Sequence, residues 1–167
     1  LSSASSVDIT RGTITGNTAG SIGGAFYSSN KETVVIDGTT ISGNKANKGE
    51  GGAIRFVGAG NWTIKNATVS DNYATSNGGA IYAHTGTLTI ENTTFSGNEC
   101  GGTAGGGAVY VTSDGVLSAS GSTFSSNSSP NGGGAVTVAN TADRAIHKID
   151  NCIFSGNAAK QGAALRT

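Results

Sequence analysis

Two histidines, two cysteines and a thin scatter of carboxylates are the groups in this 167-residue chain that could catalyse or hold a metal, and their spacing favours neither. General acid–base attack on a polysaccharide needs two carboxyls converging in one cleft. Asp37, Glu91 and Asp150 each stand between an isoleucine and a Gly or Asn, with no second acid beside them. His84 and His147 have no repeated acid or cysteine next to them from which a ligand set could be assembled. The calcium-binding nonapeptide Gly-Gly-x-Gly-x-Asp is missing, because the clusters Gly101-Gly102 and Gly105-Gly106-Gly107 lack the aspartate, and no phosphate loop or dinucleotide fingerprint occurs. The expectation is a protein that is not an enzyme and needs no cofactor or metal.

Hydroxyl side chains, in contrast, recur in register: Thr13/Thr15, Thr40/Ser42, Thr68/Ser70, Thr94/Ser96 and Thr123/Ser125, with Ile153/Ser155 as a sixth pair. Each pair brackets one apolar residue, which puts both hydroxyls on the same face of a strand, about 6.6 Å apart along it. Such an array suits a face that orders water, and it equally suits a solvated strand with no ligand. A second stripe, Tyr27, Arg55, Tyr82, Tyr110 and Thr137, could hold a carbohydrate or a protein through stacking and cation–π contact, or could stack only to stabilise its own sheet.

What must position these residues is a repeat. Gly-Gly-Ala followed by an apolar residue occurs at Gly23-Gly24-Ala25-Phe26, Gly51-Gly52-Ala53-Ile54, Gly78-Gly79-Ala80-Ile81, Gly106-Gly107-Ala108-Val109 and Gly133-Gly134-Ala135-Val136, and fades at Gln161-Gly162-Ala163-Ala164. The alanines lie 28, 27, 28, 27 and 28 residues apart. An apolar-x-x-Asn element keeps nearly the same beat, ending on Asn17, Asn44, Asn72, Asn98, Asn127 and Asn157. Five residues before its apolar residue a further column reads Ile9, Ile36, Ile64, Ile90, Ala119, Ile149, and two residues before that Val7, Val34, Trp62, Leu88, Leu117, His147. The period-two alternation around these columns gives each unit about three short strands separated by Gly, Asn and Ser corners.

A unit of that size cannot bury its apolar side alone, but stacked units can. The reading is an all-β, single-stranded, right-handed parallel β-helix of about six coils of about 28 residues, filling residues 1–167 as one domain. Equivalent strands would pair in parallel about 4.8 Å apart. Gly38, Asn66, Asn92, Gly121 and Asn151 mark a corner that needs a left-handed backbone. The six asparagines are expected to form an internal ladder, each amide bonding to the coils above and below. Asp37, Lys65 and Glu91 fall in one outward column and suggest a surface ion-pair ladder. Cys100 and Cys152, two coils apart, are too distant for a disulfide and are read as free thiols.

Composition sets the outer bounds. Glycine is 28 of 167 residues and charged residues only 12%, which disfavours long helices. Ten basic residues balance ten acidic ones, so no electrostatic footprint for nucleic acid is present, and no apolar run is long enough to insert in a membrane. The chain does not start with methionine and is expected to be processed or excised from something longer. Its first and last units both fit the consensus, so they are expected either to stack end to end on other copies or to be covered by flanking segments.

The tandem Gly-Gly-Ala-[Ile/Val/Phe] and Phe-x-x-Asn elements, the latter at Phe95, Phe124 and Phe154, resemble the repeats of the polymorphic outer-membrane protein family. That resemblance implies a right-handed β-helical passenger of autotransporter type. The Thr/Ser pairs resemble the Thr-x-Thr face of β-helical antifreeze proteins, with serine in most of the second column. The functional expectation is an extracellular or cell-surface scaffold of adhesin type, with a host or cell-surface protein or glycan as partner. Alternatives are an ice-binding protein using the Thr/Ser face and a subunit that stacks with copies of itself.

Overall fold

The computed structural model describes residues 5–140 and 145–167. Each coil contributes one strand to each of several parallel sheets that run the length of the array. The first sheet joins Ser6–Thr10, Thr33–Asp37, Asn61–Lys65, Thr87–Glu91, Val116–Ser120 and Lys148–Asp150. The second joins Thr13–Thr15, Thr40–Ser42, Thr68–Ser70, Thr94–Ser96, Thr123–Ser125 and Ile153–Ser155. The fourth, after the Gly-Gly-Ala elements, joins Phe26–Ser28, Ile54–Phe56, Ile81–Ala83, Val109–Ser113, Val136–Asn140 and Leu165–Arg166. The third was not anticipated: two-residue strands Thr18–Ala19, Lys45–Ala46, Tyr73–Ala74 and Glu99–Cys100, extended by single bridges from Glu99 to Ser128 and from Ser128 to Ala158.

Register follows the inward columns. Ile9, Ile36, Ile64, Ile90, Ala119 and Ile149 lie opposite one another in order, and Ile36, Ile64 and Ile90 are fully buried. Ile9 and Ile149, in the first and last coils, are only partly buried. Phe95, Phe124 and Phe154 stack with ring centroids 5.0 and 4.9 Å apart and planes within 8° of parallel, which gives the coil repeat directly. Trp62 stacks on Phe56, with centroids 5.1 Å apart, and meets Phe26 edge-on; in its own column Phe56 has the smaller Ser28 and Ala83 on either side. Replacing Ile90 by alanine is expected to lower unfolding stability by about 2–5 kcal/mol, the usual large-to-small cost in a packed core. A denaturation curve superimposable on that of the unchanged protein would contradict its burial.

The left-handed corner stands where Gly and Asn mark it: φ is 59° at Gly38, 52° at Asn66, 46° at Asn92, 56° at Gly121 and 48° at Asn151, and Arg11 completes the column at 52°. The Gly-Gly-Ala element needs both glycines for separate reasons. The first has positive φ in most units, and a Cβ on it would strike the carbonyl three residues on. A Cβ on the second would enter the backbone of the adjoining coil. The sixth copy is shifted by one residue relative to the sequence reading: Val136 pairs with Leu165, so the apolar position is Leu165 rather than Ala164.

Candidate functional site

The second sheet carries the paired hydroxyls in strict register. One column runs Thr13, Thr40, Thr68, Thr94, Thr123, Ile153 and the other Thr15, Ser42, Ser70, Ser96, Ser125, Ser155. Between them the inward residue of each strand, Ile41, Val69, Phe95 or Phe124, is fully buried and anchors the strand. No strand residue of this sheet is ionisable or a tyrosine or tryptophan, whereas the first sheet carries Asp37, Lys65 and Glu91, the third Lys45 and Glu99, and the fourth Arg55. Asp71, at the corner after Ser70, and Arg11, at the corner before Thr13, are charges that border the face. Among the described residues, none of the ten Thr and Ser hydroxyls from Thr13 to Ser125 has a hydrogen-bond partner, so all are available to solvent.

Two polar ladders hold this face in place. Behind its far edge run the asparagines. The backbone N–H and Nδ2 of Asn44 both donate to Oδ1 of Asn72, at 3.0 and 2.9 Å, and its second Nδ2 proton goes to the carbonyl of Ile14 at 2.9 Å. The pattern repeats from Asn17 to Asn44, Asn72 to Asn98, Asn98 to Asn127 and Asn127 to Asn157. In each interior rung the amide uses both donors and both acceptor sites, so four wholly buried asparagines, Asn44, Asn72, Asn98 and Asn127, leave no polar atom unmet.

The near edge has a second ladder that the sequence reading did not include. Thr39, Thr93 and Ser122 are buried, and their hydroxyls donate back to the carbonyls of Asp37, Glu91 and Ser120. They also accept backbone N–H groups of the preceding coil, from Gly12 to Thr39, Ala67 to Thr93 and Thr93 to Ser122. In the last coil the position is held by Cys152, whose thiol points at the carbonyl of Asp150. The legible signal was a hydroxyl directly after the left-handed Gly or Asn.

The tyrosine stripe is a packed ladder, not an open surface. Arg55 lies between the rings of Tyr27 and Tyr82, 5.6 and 5.3 Å from their centroids, and its Nε pairs with Glu50 at 3.2 Å. Tyr82 stacks on Tyr110 at 5.4 Å. Tyr82 and Tyr110 are each only 8% exposed and Thr137 2%, so Tyr27, at 53%, is the open ring of the stripe. Residues 101–106 contribute to the cover: the carbonyl of Ala104 accepts from Thr137, and Ala104 and Tyr110 line the same small cavity. An aromatic ligand surface at Tyr82 and Tyr110 is therefore corrected to internal stacking.

The remaining chemical candidates stay apart. Asn66 Nδ2 donates to Asp37 at 2.8 Å and Lys65 Nζ lies 3.5 Å from it, and these two contacts hold the Asp37 carboxyl below its ordinary range. Lys65 makes its ion pair with Asp37; Glu91 has none among the described residues, so the ion-pair ladder is half made. His84 Nε2 lies 3.0 Å from Ser113 Oγ, but no carboxylate among the described residues orients the ring for nucleophilic catalysis. His147 Nδ1 accepts the N–H of Leu117, and burial keeps this ring below the usual histidine range. Among the described residues no three His, Cys, Asp or Glu come together as a metal site.

Cys100 and Cys152 are both free. Burial pushes the Cys100 thiol up to about 11. It is accordingly expected to resist alkylation at pH 8 in the folded protein and to react once the chain is unfolded. Equal labelling in both states would contradict its place in the core.

The family described as "Right handed beta helix region" matches residues 1–166, which carry all six coils and the Thr/Ser face. The chain belongs to that family. No curated protein and no solved structure matches it. For this β-helix, membership agrees with the parallel sheets and the 26- to 30-residue steps between coils, and among the described residues no helix is long and apolar enough to cross a membrane.

Proposed function

We propose that this β-helix is a non-catalytic scaffold at a microbial surface, of the polymorphic outer-membrane or autotransporter-passenger type, and that it works by presenting the second sheet to a partner. One observation carries the reading: that face is regular, uncharged and lined by hydroxyls that the protein itself leaves unbonded, while its backbone is pinned on both edges by satisfied ladders. Rigid presentation of a polar face costs little ordering entropy on binding, which suits adhesion to a protein or glycan on another cell. The scattered carboxylates support the non-catalytic half of the proposal, since Asp37, Glu91 and Asp150 have no second acid beside them in the sequence.

The experiment is adhesion of fluorescently labelled protein to epithelial and microbial cells, alongside incubation with pectin and alginate. Cell binding that is lost in Thr68→Tyr/Thr94→Tyr, with no release of reducing or unsaturated ends, is the expected result. Turnover abolished by Asp37→Asn, Glu91→Gln or Asp150→Asn would overturn it. The second reading, ice binding by the same face, is favoured by its freedom from charge and by its even repeat.

A further inference from the structure

The core hydrophobics that stay only partly buried belong to two coils: Ile9, Ile14 and Phe26 to the first, and Ile149, Cys152 and Phe154 to the sixth. Val7 and Leu165, in the inward columns of the same two coils, are 40% and 38% exposed. These coils hold the outermost strands of the first, second and fourth sheets, so each carries an edge of backbone N–H and C=O groups.

The two edges match each other. In the first sheet one outward column starts at Asp8, runs through Val35, Thr63, Thr89 and Ser118, and ends at Lys148, so its two ends carry opposite charges. In the fourth sheet the stripe starts at Tyr27 and ends at Arg166. Within the chain Arg55 covers one face of Tyr27 at 5.6 Å, and a second guanidinium on the opposite face would repeat the sandwich that Arg55 itself makes between two rings. The asparagine ladder has a direction: each rung donates its backbone N–H and an Nδ2 proton to Oδ1 of the next coil. Among the described residues those two donors of Asn157 have no acceptor, and Oδ1 of Asn17 has no donor.

We propose that the sixth coil of one chain receives the first coil of a second copy, and that the sheets run on in register across the joint. Ile149 then lies against Ile9 and Phe154 against Ile14, while Lys148 pairs with Asp8, Arg166 covers Tyr27, and Asn157 donates to Asn17. Parallel pairing satisfies both backbone edges at once. The contact joins two different surfaces and does not close on itself, so it builds an open filament rather than a ring. It leaves the second sheet uncovered and lengthens it, because Ile153 of one copy comes opposite Thr13 of the next. This goes beyond the adhesion reading, which concerns the face and not the ends.

The native Cys152 supplies a reporter for the joint. It stands in the column Gly12, Thr39, Ala67, Thr93, Ser122, Cys152, so the proposed register sets it opposite Gly12 of the next copy. Their Cα atoms would lie about 4.8 Å apart, within the reach of a disulfide. A Cβ added at Gly12 meets nothing closer than 3.5 Å, so Gly12→Cys fits the fold. Inside one chain the two positions are five coil steps apart, about 25 Å, and cannot be bridged. Cys100 is buried and does not compete.

The test is sedimentation velocity of the full chain over a range of concentrations, followed by mild oxidation and non-reducing electrophoresis of the chain and of Gly12→Cys. Sedimentation is expected to quicken with concentration, and oxidised Gly12→Cys to give a ladder of dimers, trimers and longer species where the unchanged chain stops at dimers. Asp8→Lys and Lys148→Glu, both at exposed positions, are each expected to shift association to higher concentration, and D8K/K148E to shift it back. That charge swap carries the test if Gly12→Cys melts early. A chain that stays monomeric throughout would overturn the joint. So would association in which folded Gly12→Cys yields dimers alone, or in which D8K/K148E is no better than either single variant.

Discussion

Replacing Asn98 by alanine is expected to lower unfolding stability by at least about 3 kcal/mol, since buried polar groups stripped of their partners cost about 1–3 kcal/mol each. The loss follows from the ladder. Asn98 Oδ1 accepts both the backbone N–H and an Nδ2 proton of Asn72, at 3.1 and 2.9 Å, and Asn98 Nδ2 donates to the carbonyl of Val69 at 2.9 Å. With the amide gone, those three groups remain at a site with no exposure to water. Because each rung polarises the next, the loss is expected to spread to the neighbouring coils. Aspartate at the same position keeps the shape and the acceptor but removes the donor and buries a charge, so it is also expected to destabilise. Urea unfolding followed by Trp62 fluorescence reads both variants. A midpoint unmoved by Asn98→Ala would mean that the ladder is incidental to the fold.

Gly79→Ala is expected to cost about 3 kcal/mol or more, at the upper end of overpacking penalties. An added Cβ would point at the carbonyl of Gly107 in the next coil and would lie 2.5 Å from the carbonyl oxygen of Glu99 and 2.6 Å from its carbon. Both obstacles are backbone, so no side chain can swing aside to relieve the contact. Gly24, Gly52 and Gly107 face the equivalent carbonyls of their own neighbours, which explains why the repeat keeps a second glycine even though the first alone supplies the positive φ in most units. Alanine at Gly58 would also strike backbone, at Asn30, but the carbonyl of Gly58 accepts from Gly60 within its own loop, whereas the N–H of Gly79 is bonded to the carbonyl of Gly106 in the next coil. The expected ranking is a large loss at Gly79 and a smaller one at Gly58; equal, small losses at both would contradict the close approach of the coils.

The sequence carried the elements whose chemistry is repeated and lost those whose chemistry varies. The inward isoleucines, the left-handed Gly/Asn corner and the asparagines were legible because only a few residue types satisfy each position, so the same types return every 26 to 30 residues. The third sheet was not legible: two residues per coil, with outward Thr18, Lys45, Tyr73 and Glu99, are too few and too varied to display alternation. Its inward partners Ala46, Ala74 and Cys100 resemble one another only in size. The Thr39, Thr93 and Ser122 ladder was hidden because Gly12 and Ala67 interrupt it in sequence while their backbone N–H groups still take part in space. The tyrosine stripe was legible as a column, but its burial depends on Glu50 and on residues 101–106, which no periodicity connects to it. Likewise the half-made ion-pair column reflects where Lys65 turns, a matter of two competing carboxylates that spacing alone does not decide.

The claim on which the functional account turns is that the second sheet, and not a neighbouring one, is the working surface. Paired tyrosine substitutions separate the two most directly: Thr68→Tyr/Thr94→Tyr on the second sheet against Thr63→Tyr/Thr89→Tyr on the first, where the replaced threonines also face outward from adjacent coils. Adsorption of each protein to ice and to cells is measured at matched concentration, with melting as the control for folding. The account predicts that the second-sheet pair loses adsorption while the first-sheet pair keeps it, both melting as the unchanged chain does. Retention by the second-sheet pair together with loss by the first-sheet pair would contradict it.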